Sequence, residues 1–103
     1  MEYRIGKNAQ ENTQLVEMSS PDDMWFHIHD QPSCHVVAVI PSSPRLDKKR
    51  LKKIAVQGAV LCKQYSKYKC DENVQVMYAP IAHVVTTSIP GRVSVEKHHI
   101  LRL

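Results

Sequence analysis

The sequence predicts an α+β fold, in which a mostly antiparallel sheet of about five to six short strands packs against one long helix, with a short N-terminal helix or turn. Two features predict this class. Short runs of alternating or β-branched residues recur between turn residues, and a single long segment places apolar residues three and four positions apart. A chain of 103 residues can form a core without a disulfide or a metal, and we expect one domain spanning residues 1–103.

The N-terminal part predicts two strands separated by a helical segment. Residues 1–5 alternate polar and apolar side chains and predict a strand, whereas residues 9–18 predict a short helix or an irregular turn. Residues 25–29 predict a second strand, in which Phe26 and Ile28 point towards the apolar core. The opposite face of this strand carries Trp25, His27 and His29. We therefore expect these three side chains to face a groove.

A hairpin and the long helix follow. The β-branched run at residues 35–40 predicts a buried strand that pairs with the strand before it. Either Ser43 or Asp47 is suited to cap the N-terminus of the helix, and Gly58 allows close packing on the sheet. The stripe predicted to face the sheet consists of Leu51, Ile54, Ala55, Gly58, Cys62 and Tyr65.

The C-terminal part predicts further short strands. Residues 74–78 alternate as in a half-buried strand, and residues 82–87 are compatible with another. Pro90 and Gly91 are the strongest turn signal, because Pro fixes φ at one central position of a turn and Gly permits a positive φ at the next. Two short closing strands are predicted at residues 93–95 and 100–103.

Composition and charge limit the function classes. The formal net charge of +4 favours a polyanionic partner such as RNA, DNA or an acidic protein surface. No apolar run approaches the roughly 20 residues of a membrane span, and the N-terminus has no secretory pattern, so we expect a cytoplasmic protein without a membrane partner. Three cysteines without a C-x-x-C pair indicate neither a disulfide framework nor a paired-cysteine zinc site, and we expect no cofactor.

The solvent side of the long helix is strongly basic. Its lysines can neutralise phosphates, although a basic helix face is often simply solvated. Val56 and Val60 lie opposite the apolar stripe and are exposed unless a partner covers them, which indicates a second contact surface for a protein. The helix residues that we predict to bind nucleic acid are Lys49, Lys52, Lys53, Lys63 and Lys67.

The histidines raise an alternative function. His27 and His29 share a strand face, and His35 lies on the next strand, a geometry that could hold zinc or manganese in a metal-dependent or acid–base enzyme acting on nucleic acid. However, no carboxylate or cysteine lies at a sequence spacing typical of metal ligands. No serine or cysteine nucleophile has an evident general base either. A binding module is therefore favoured over an enzyme.

Several motifs resemble the NFACT-R domain family. They are G-K-x-x-x-x-N at Gly6, Lys7 and Asn12, D-x-W-F-H at residues 23–27, P-S-x-H-V at residues 32–36, and P-G at Pro90 and Gly91. The helix end L-C-K-Q-Y-S-K at residues 61–67 and the strand V-x-V-x-Y at residues 74–78 also match that family's pattern. The likeness spans nearly the whole chain, and D-x-W-F-H is its most specific part.

The resemblance implies an RNA-binding module that recognises tRNA or ribosomal RNA in translation or ribosome quality control. The large ribosomal subunit is then a candidate partner, and DNA is a possible competing ligand. In large members of the family this domain accompanies NFACT-N, helix-hairpin-helix and coiled-coil segments, in proteins that bind stalled large ribosomal subunits and tRNA and direct the tailing of nascent chains. This sequence matches the NFACT-R part alone, so tailing by this chain on its own is not expected.

The resemblance also suggests site residues, because the family's Asp-x-Trp-x-His trio is matched by Asp23, Trp25 and His27. Trp25 could stack on an unpaired base, while His27 or Asn12 could bond to a 2′-OH or a base edge. Asp23 could orient His27 and raise its pKa towards a cationic, phosphate-binding form. Each residue also has a purely structural alternative. Trp25 can anchor the core, His27 can be a strand histidine whose hydrogen bonds are made within the protein, and Asp23 can be a turn or cap residue. Besides the helix lysines, the predicted nucleic-acid-binding residues are Lys7, Asn12, Asp23, Trp25, His27 and His35.

Overall fold

The computed structural model describes residues 1–103 and confirms the predicted α+β class. Each predicted strand and helix is present, with bounds that agree to within two residues for all the strands. The elements are β1 (Glu2–Gly6), α1 (Ala9–Met18), β2 (Met24–Ile28), β3 (His35–Val39), α2 (Lys48–Gln64), β4 (Gln75–Pro80), β5 (Val84–Thr86), β6 (Val93–Val95) and β7 (His99–Arg102). Neither α-helix is long and apolar enough to cross a membrane.

Five strands form an antiparallel sheet in the order β1-β3-β2-β4-β7. β2 is the central strand, and its Trp25 lies opposite Val37 of β3 and Ala79 of β4. β5 and β6 pair only with each other and form a separate two-stranded sheet. The sequence did not predict this separation, because strand patterns report alternation and not which strands pair.

The helix α2 covers one face of the five-stranded sheet. Asp47 is its N-cap, as one of the two alternatives predicted, and the Asp47 carboxylate accepts a hydrogen bond of 2.8 Å from the Arg50 N–H. The core on this face joins strand residues to the helix stripe; its buried members include Phe26, Ile28, Val36, Val76, Ile54, Ala55, Ala59 and Cys62. The inclusion of Tyr65 in this stripe was wrong: the helix ends at Gln64, and Tyr65 lies beyond the packed turns with 51% of its surface exposed.

The second face of the sheet is covered by α1 and by the β5–β6 sheet. α1 begins after Asn8, whose side chain accepts a hydrogen bond from the Glu11 N–H. The core on this face consists of Leu15, Val16, Trp25, Val37, Ala79, Ile81 and Val84. The alternation predicted for β2 is therefore confirmed, since Trp25 and Phe26 point to opposite faces. Both faces are nevertheless buried at Trp25, and the groove predicted on this face opens farther along the strand, where His27 and His29 are only partly buried.

Gly58 provides a test of the packing between α2 and the sheet. A Cβ at this position would collide with the ring of Phe26, which is fully buried. Alanine normally stabilises a helix relative to glycine by roughly 1 kcal/mol. Here we expect Gly58→Ala to lower the free energy of unfolding by about 1–3 kcal/mol, because overpacking a filled core displaces its side chains. Urea denaturation measures this change.

The matched control is Gln57→Ala, on the exposed side of the same helix. A surface substitution of this kind is expected to change the free energy of unfolding by no more than about 0.5 kcal/mol. If Gly58→Ala is as stable as the wild type or more so, the close contact between Gly58 and Phe26 does not exist in solution.

Candidate nucleic-acid interface

A cleft of about 960 Å³ opens at the end of the sheet where β2 ends and β3 begins. Its walls come from the first turn of α1, the connection at residues 30–34 and the segment at residues 89–93. Gly91 fixes the last of these walls: it adopts a φ of 79°, confirming the predicted turn, and its N–H donates to the Thr13 hydroxyl of α1 at 2.7 Å. The cleft thus results from packing the β5–β6 connection onto α1.

His27 lines this cleft and is half-buried. Its ring stacks on the Trp25 indole with centroids 5.6 Å apart, and its Nδ1 lies 2.6 Å from the Ile28 carbonyl oxygen. Because a carbonyl only accepts, Nδ1 carries the proton and Nε2 of the neutral ring is left as an acceptor. Burial lowers the pKa of His27, and the bond to the Ile28 carbonyl opposes this shift only in part. The predicted cationic form of His27 was therefore wrong.

Trp25 and His35 form the buried floor behind His27. Each is only 1% exposed, and the Trp25 indole N–H donates to Nδ1 of His35 at 3.2 Å. The prediction that Trp25 stacks on a base was wrong, because both α1 and the β5–β6 sheet cover it and its polar N–H is already bonded. His35 is likewise a structural residue in this geometry. Burial lowers the pKa of His35 to about 3, and the neighbouring His27 contributes to the shift.

Asp23 has a structural role at the opposite end of the sheet. Its carboxylate accepts hydrogen bonds from the Ser20 N–H at 2.9 Å and from the Ile40 N–H at 3.0 Å. Four positions along an extended strand place it about 13 Å from His27. The prediction that Asp23 orients His27 and raises its pKa was therefore wrong. Asp23 instead joins the turn after α1 to the residue after β3, as the turn-residue alternative predicted.

Asn12 and Lys7 line the cleft from its α1 side. Asn12 is buried, and its carbonyl oxygen accepts a bond of 3.3 Å from the His35 N–H. Its amide NH₂ is then the group that it can offer to a ligand. Lys7 is exposed and its ammonium lies 5.6 Å from the centre of the Tyr65 ring. Of the predicted site residues, the structure thus brings Lys7, Asn12, Trp25, His27 and His35 together.

Besides the predicted Lys67, the cleft and its immediate surroundings contain residues that the sequence did not assign to a binding site. Arg92 lines the cleft and is exposed. Tyr68 donates a hydrogen bond of 2.9 Å to the Gln31 side chain, which also lines the cleft, and the Lys67 ammonium lies 5.5 Å from the Tyr68 ring. Tyr65 is an exposed aromatic ring beside Lys7. No local pattern places Arg92, Tyr68 and Gln31 in one site, and the apolar spacing had assigned Tyr65 to the buried stripe. These residues meet only where the end of α2 approaches two loops.

The other predicted lysines lie away from this cleft. Lys49, Lys52 and Lys53 are exposed on the first two turns of α2, across the sheet from His27 and near its other end. Lys63 lies near the end of α2, where its ammonium contacts the Leu103 carbonyl oxygen at 3.4 Å. A second cavity of about 700 Å³ lies near the N-terminus of α2 and is lined in part by Asp23, Arg45 and His99. The predicted residues thus form two separate surfaces.

The donor geometry does not favour the metal-enzyme alternative. Nδ1 of His27 and Nδ1 of His35 are both occupied by hydrogen bonds within the protein. No group of three or more His, Cys, Asp or Glu side chains is arranged to hold a metal ion. A metal site normally requires three or four such ligands.

The buried neutral His35 predicts a pH dependence of stability. An unfolded histidine titrates near pH 6.5, whereas folded His35 does so at about 3. Between these values the unfolded chain binds the extra proton, so stability is complete above pH 6.5 and falls as the pH falls towards 3. From pH 7.5 to 5.5 we expect His35 to remove about 1 kcal/mol of unfolding free energy, measured by urea denaturation. His27, whose pKa is also lowered, acts in the same direction.

His35→Asn is the test variant, because its amide oxygen can still accept from Trp25. We expect this variant to show a flatter pH profile than the wild type, while a variant of the exposed His98 keeps the wild-type slope. Equal slopes for the wild type and His35→Asn would contradict a buried neutral His35.

Comparison with known proteins gives consistent matches. A solved structure described as the C-terminal part of the fibronectin/fibrinogen-binding protein from Streptococcus suis superposes with a TM-score of 0.81 at 27% identity, covering 98% of this chain and 40% of that chain. The Rqc2 homolog RqcH of Bacillus subtilis is 32% identical over 98 residues, which are 92% of this chain and 16% of the relative. Coiled-coil domain-containing protein 25 of Danio rerio is 28% identical over 85 residues, 82% of this chain and 41% of the relative. The chain therefore spans less than half the length of each of these proteins.

The family model described as the NFACT protein RNA binding domain matches residues 3–96. This match includes both helices, the strands β2 to β6 and most of β1, as well as the motifs at residues 6–12 and 23–36, whereas β7 lies beyond it. Because the match covers nearly the whole chain, this protein belongs to the NFACT RNA binding domain family.

Proposed function

We propose that this domain binds RNA through the cleft, and that the ligand is an unpaired segment of a tRNA or a ribosomal RNA. The observation that carries the proposal is the distribution of charge: neutral hydrogen-bonding groups form the floor, while Lys7 and Arg92 lie exposed at the edge. Such an arrangement suits a nucleotide, whose base and ribose need hydrogen-bond partners and whose phosphates need cations.

The floor offers one acceptor and one donor to the ligand. Nε2 of neutral His27 can accept from a ribose 2′-OH, and the Asn12 amide can donate to a base edge. A 2′-OH is present in RNA and absent from DNA, so an acceptor at this position favours RNA. DNA binding through the phosphates alone is then expected to be weaker.

Tyr65 is the ring best suited to stack on a base. It is half exposed and lies beside Lys7, whereas Trp25 is buried beneath α1 and the β5–β6 sheet. A base that stacks on Tyr65 places its phosphate near Lys7, whose ammonium lies 5.6 Å from the centre of that ring. Stacking of this kind tolerates different bases, and specificity then comes from the floor of the cleft.

The biological setting proposed is translation and ribosome quality control in the cytoplasm. The support comes from the similarity to a protein named as an Rqc2 homolog and from the family's RNA-binding description. We propose a binding role rather than a catalytic one, with the large ribosomal subunit as the candidate assembly. The lysines on the first two turns of α2 would add long-range electrostatic attraction towards RNA. Such attraction raises the association rate without selecting an RNA sequence.

Removing the cations at the cleft tests the phosphate contacts. We expect Lys7→Ala with Arg92→Ala to weaken binding of a single-stranded RNA similarly for different sequences, by roughly tenfold at low salt. The slope of log affinity against log salt should fall by about 0.7 for each lost phosphate contact. Fluorescence anisotropy at several salt concentrations measures both quantities.

The matched control is Lys49→Ala with Lys53→Ala, which removes the same charge from the other surface. We expect a smaller loss of affinity and a nearly unchanged slope. The reverse order, with the helix pair dominating the slope, would place the phosphate contacts on α2 and contradict the cleft as the RNA site.

Tyr65→Ala tests the stacking role. We expect it to weaken the binding of unpaired RNA by about 1–3 kcal/mol, with the fold intact, and Tyr65→Phe to retain most of the affinity because the ring remains. Trp25→Ala should behave differently and destabilise the fold by about 3–5 kcal/mol, because it empties a buried site. Anisotropy and thermal unfolding separate these effects; unchanged affinity in Tyr65→Ala would exclude this ring as a stacking surface.

A further inference from the structure

The surface of α2 that points away from the sheet carries two exposed valines flanked by lysines. Val56 and Val60 are one helical turn apart and are 37% and 47% exposed. Lys49 and Lys53 precede them on the same face, and Lys63 follows. We call these five residues the outer face. They point away from the sheet, since the buried residues of α2 lie on the opposite side of the helix.

The positive charge of this helix is not neutralised within the protein. No Asp or Glu occurs in α2, and neither of the two ion pairs of the structure involves the helix. Lys49 and Lys53 are four residues apart and repel each other, and cations in the first turn oppose the helix dipole. An anionic partner would relieve both unfavourable terms. The charge of the outer face is therefore complementary to an acidic surface.

Val56 and Val60 distinguish between a nucleic acid and an acidic protein as the anionic partner. Phosphates contact lysines but leave isopropyl groups in water, because a sugar–phosphate backbone offers little apolar surface at that level. A second helix can cover Val56 and Val60 with apolar side chains of its own at matching spacings of three and four residues. Flanking carboxylates would then reach the lysines before and after the pair.

We infer that the outer face of α2 docks an acidic amphipathic helix of a partner protein. The helix would place an apolar stripe on Val56 and Val60 and its Asp or Glu side chains near Lys49, Lys53 and Lys63. Because the cleft lies across the sheet from this face, protein and RNA can bind to one domain at the same time. This inference is independent of the RNA site proposed above.

Selection from a display library of randomised 20-residue peptides tests the inference on the intact domain. We expect the enriched peptides to carry apolar residues three or four positions apart, flanked by Asp or Glu. Fluorescence anisotropy should then show at least tenfold weaker binding of an enriched peptide to Val56→Ser with Val60→Ser, a variant with unchanged charge. Val85→Ser, at a residue that is 60% exposed on β5, should bind as the wild type does.

Circular dichroism checks that the double variant is folded, and Val56→Ala with Val60→Ala is the replacement if it is not. The absence of acidic amphipathic peptides among those enriched would overturn the inference, and so would equal binding to the wild type and the valine variant. A loss of RNA affinity in the valine variant would assign this face to RNA. Unchanged RNA affinity together with lost peptide binding supports the acidic helix.

Discussion

Burial of the central strand β2 on both faces is the constraint on which the rest of the structure depends. Phe26 packs under α2, and Trp25 packs under α1 and the β5–β6 sheet. An indole cannot be buried at low cost with its N–H unpaired. The His35 ring supplies the acceptor at 3.2 Å, and it can do so only while it is neutral. The requirement for a neutral His35 links the hydrogen bond in this core to the pH dependence of its stability.

This constraint also decides which residues remain for function. The Trp25, Phe26 and His35 side chains of β2 and β3 are committed to the core, whereas His27 of β2 and His29, just after this strand, are only partly buried and line the cleft. The charged and aromatic groups available to a ligand come instead from the loops and from the end of α2. Within the motif at residues 23–27, Trp25 and His27 therefore shape the floor of the cleft, while its edge is built by residues distant in the sequence.

Much of the fold could be predicted because it follows from local patterns. Alternation located β2 and β4, the spacing of Ile54, Ala55 and Cys62 oriented α2, and Gly91 marked a turn that needs a positive φ. The site was harder to predict. Alternation assigned Trp25 correctly to the face opposite Phe26, but it carries no information on what covers that face. Likewise, the spacing that placed Tyr65 on the buried stripe does not report where the helix ends.

The central claim is that RNA enters the cleft at the end of the sheet. The most direct measurement is a titration of the isotopically labelled domain with an RNA hairpin that has an unpaired loop, followed by NMR chemical shifts of backbone amides and histidine rings. We expect the largest changes at Lys7, Asn12, His27, Tyr65 and Arg92, with little change at Lys49, Val56 and Val60. Changes confined to α2, with an unaffected His27 ring, would contradict it.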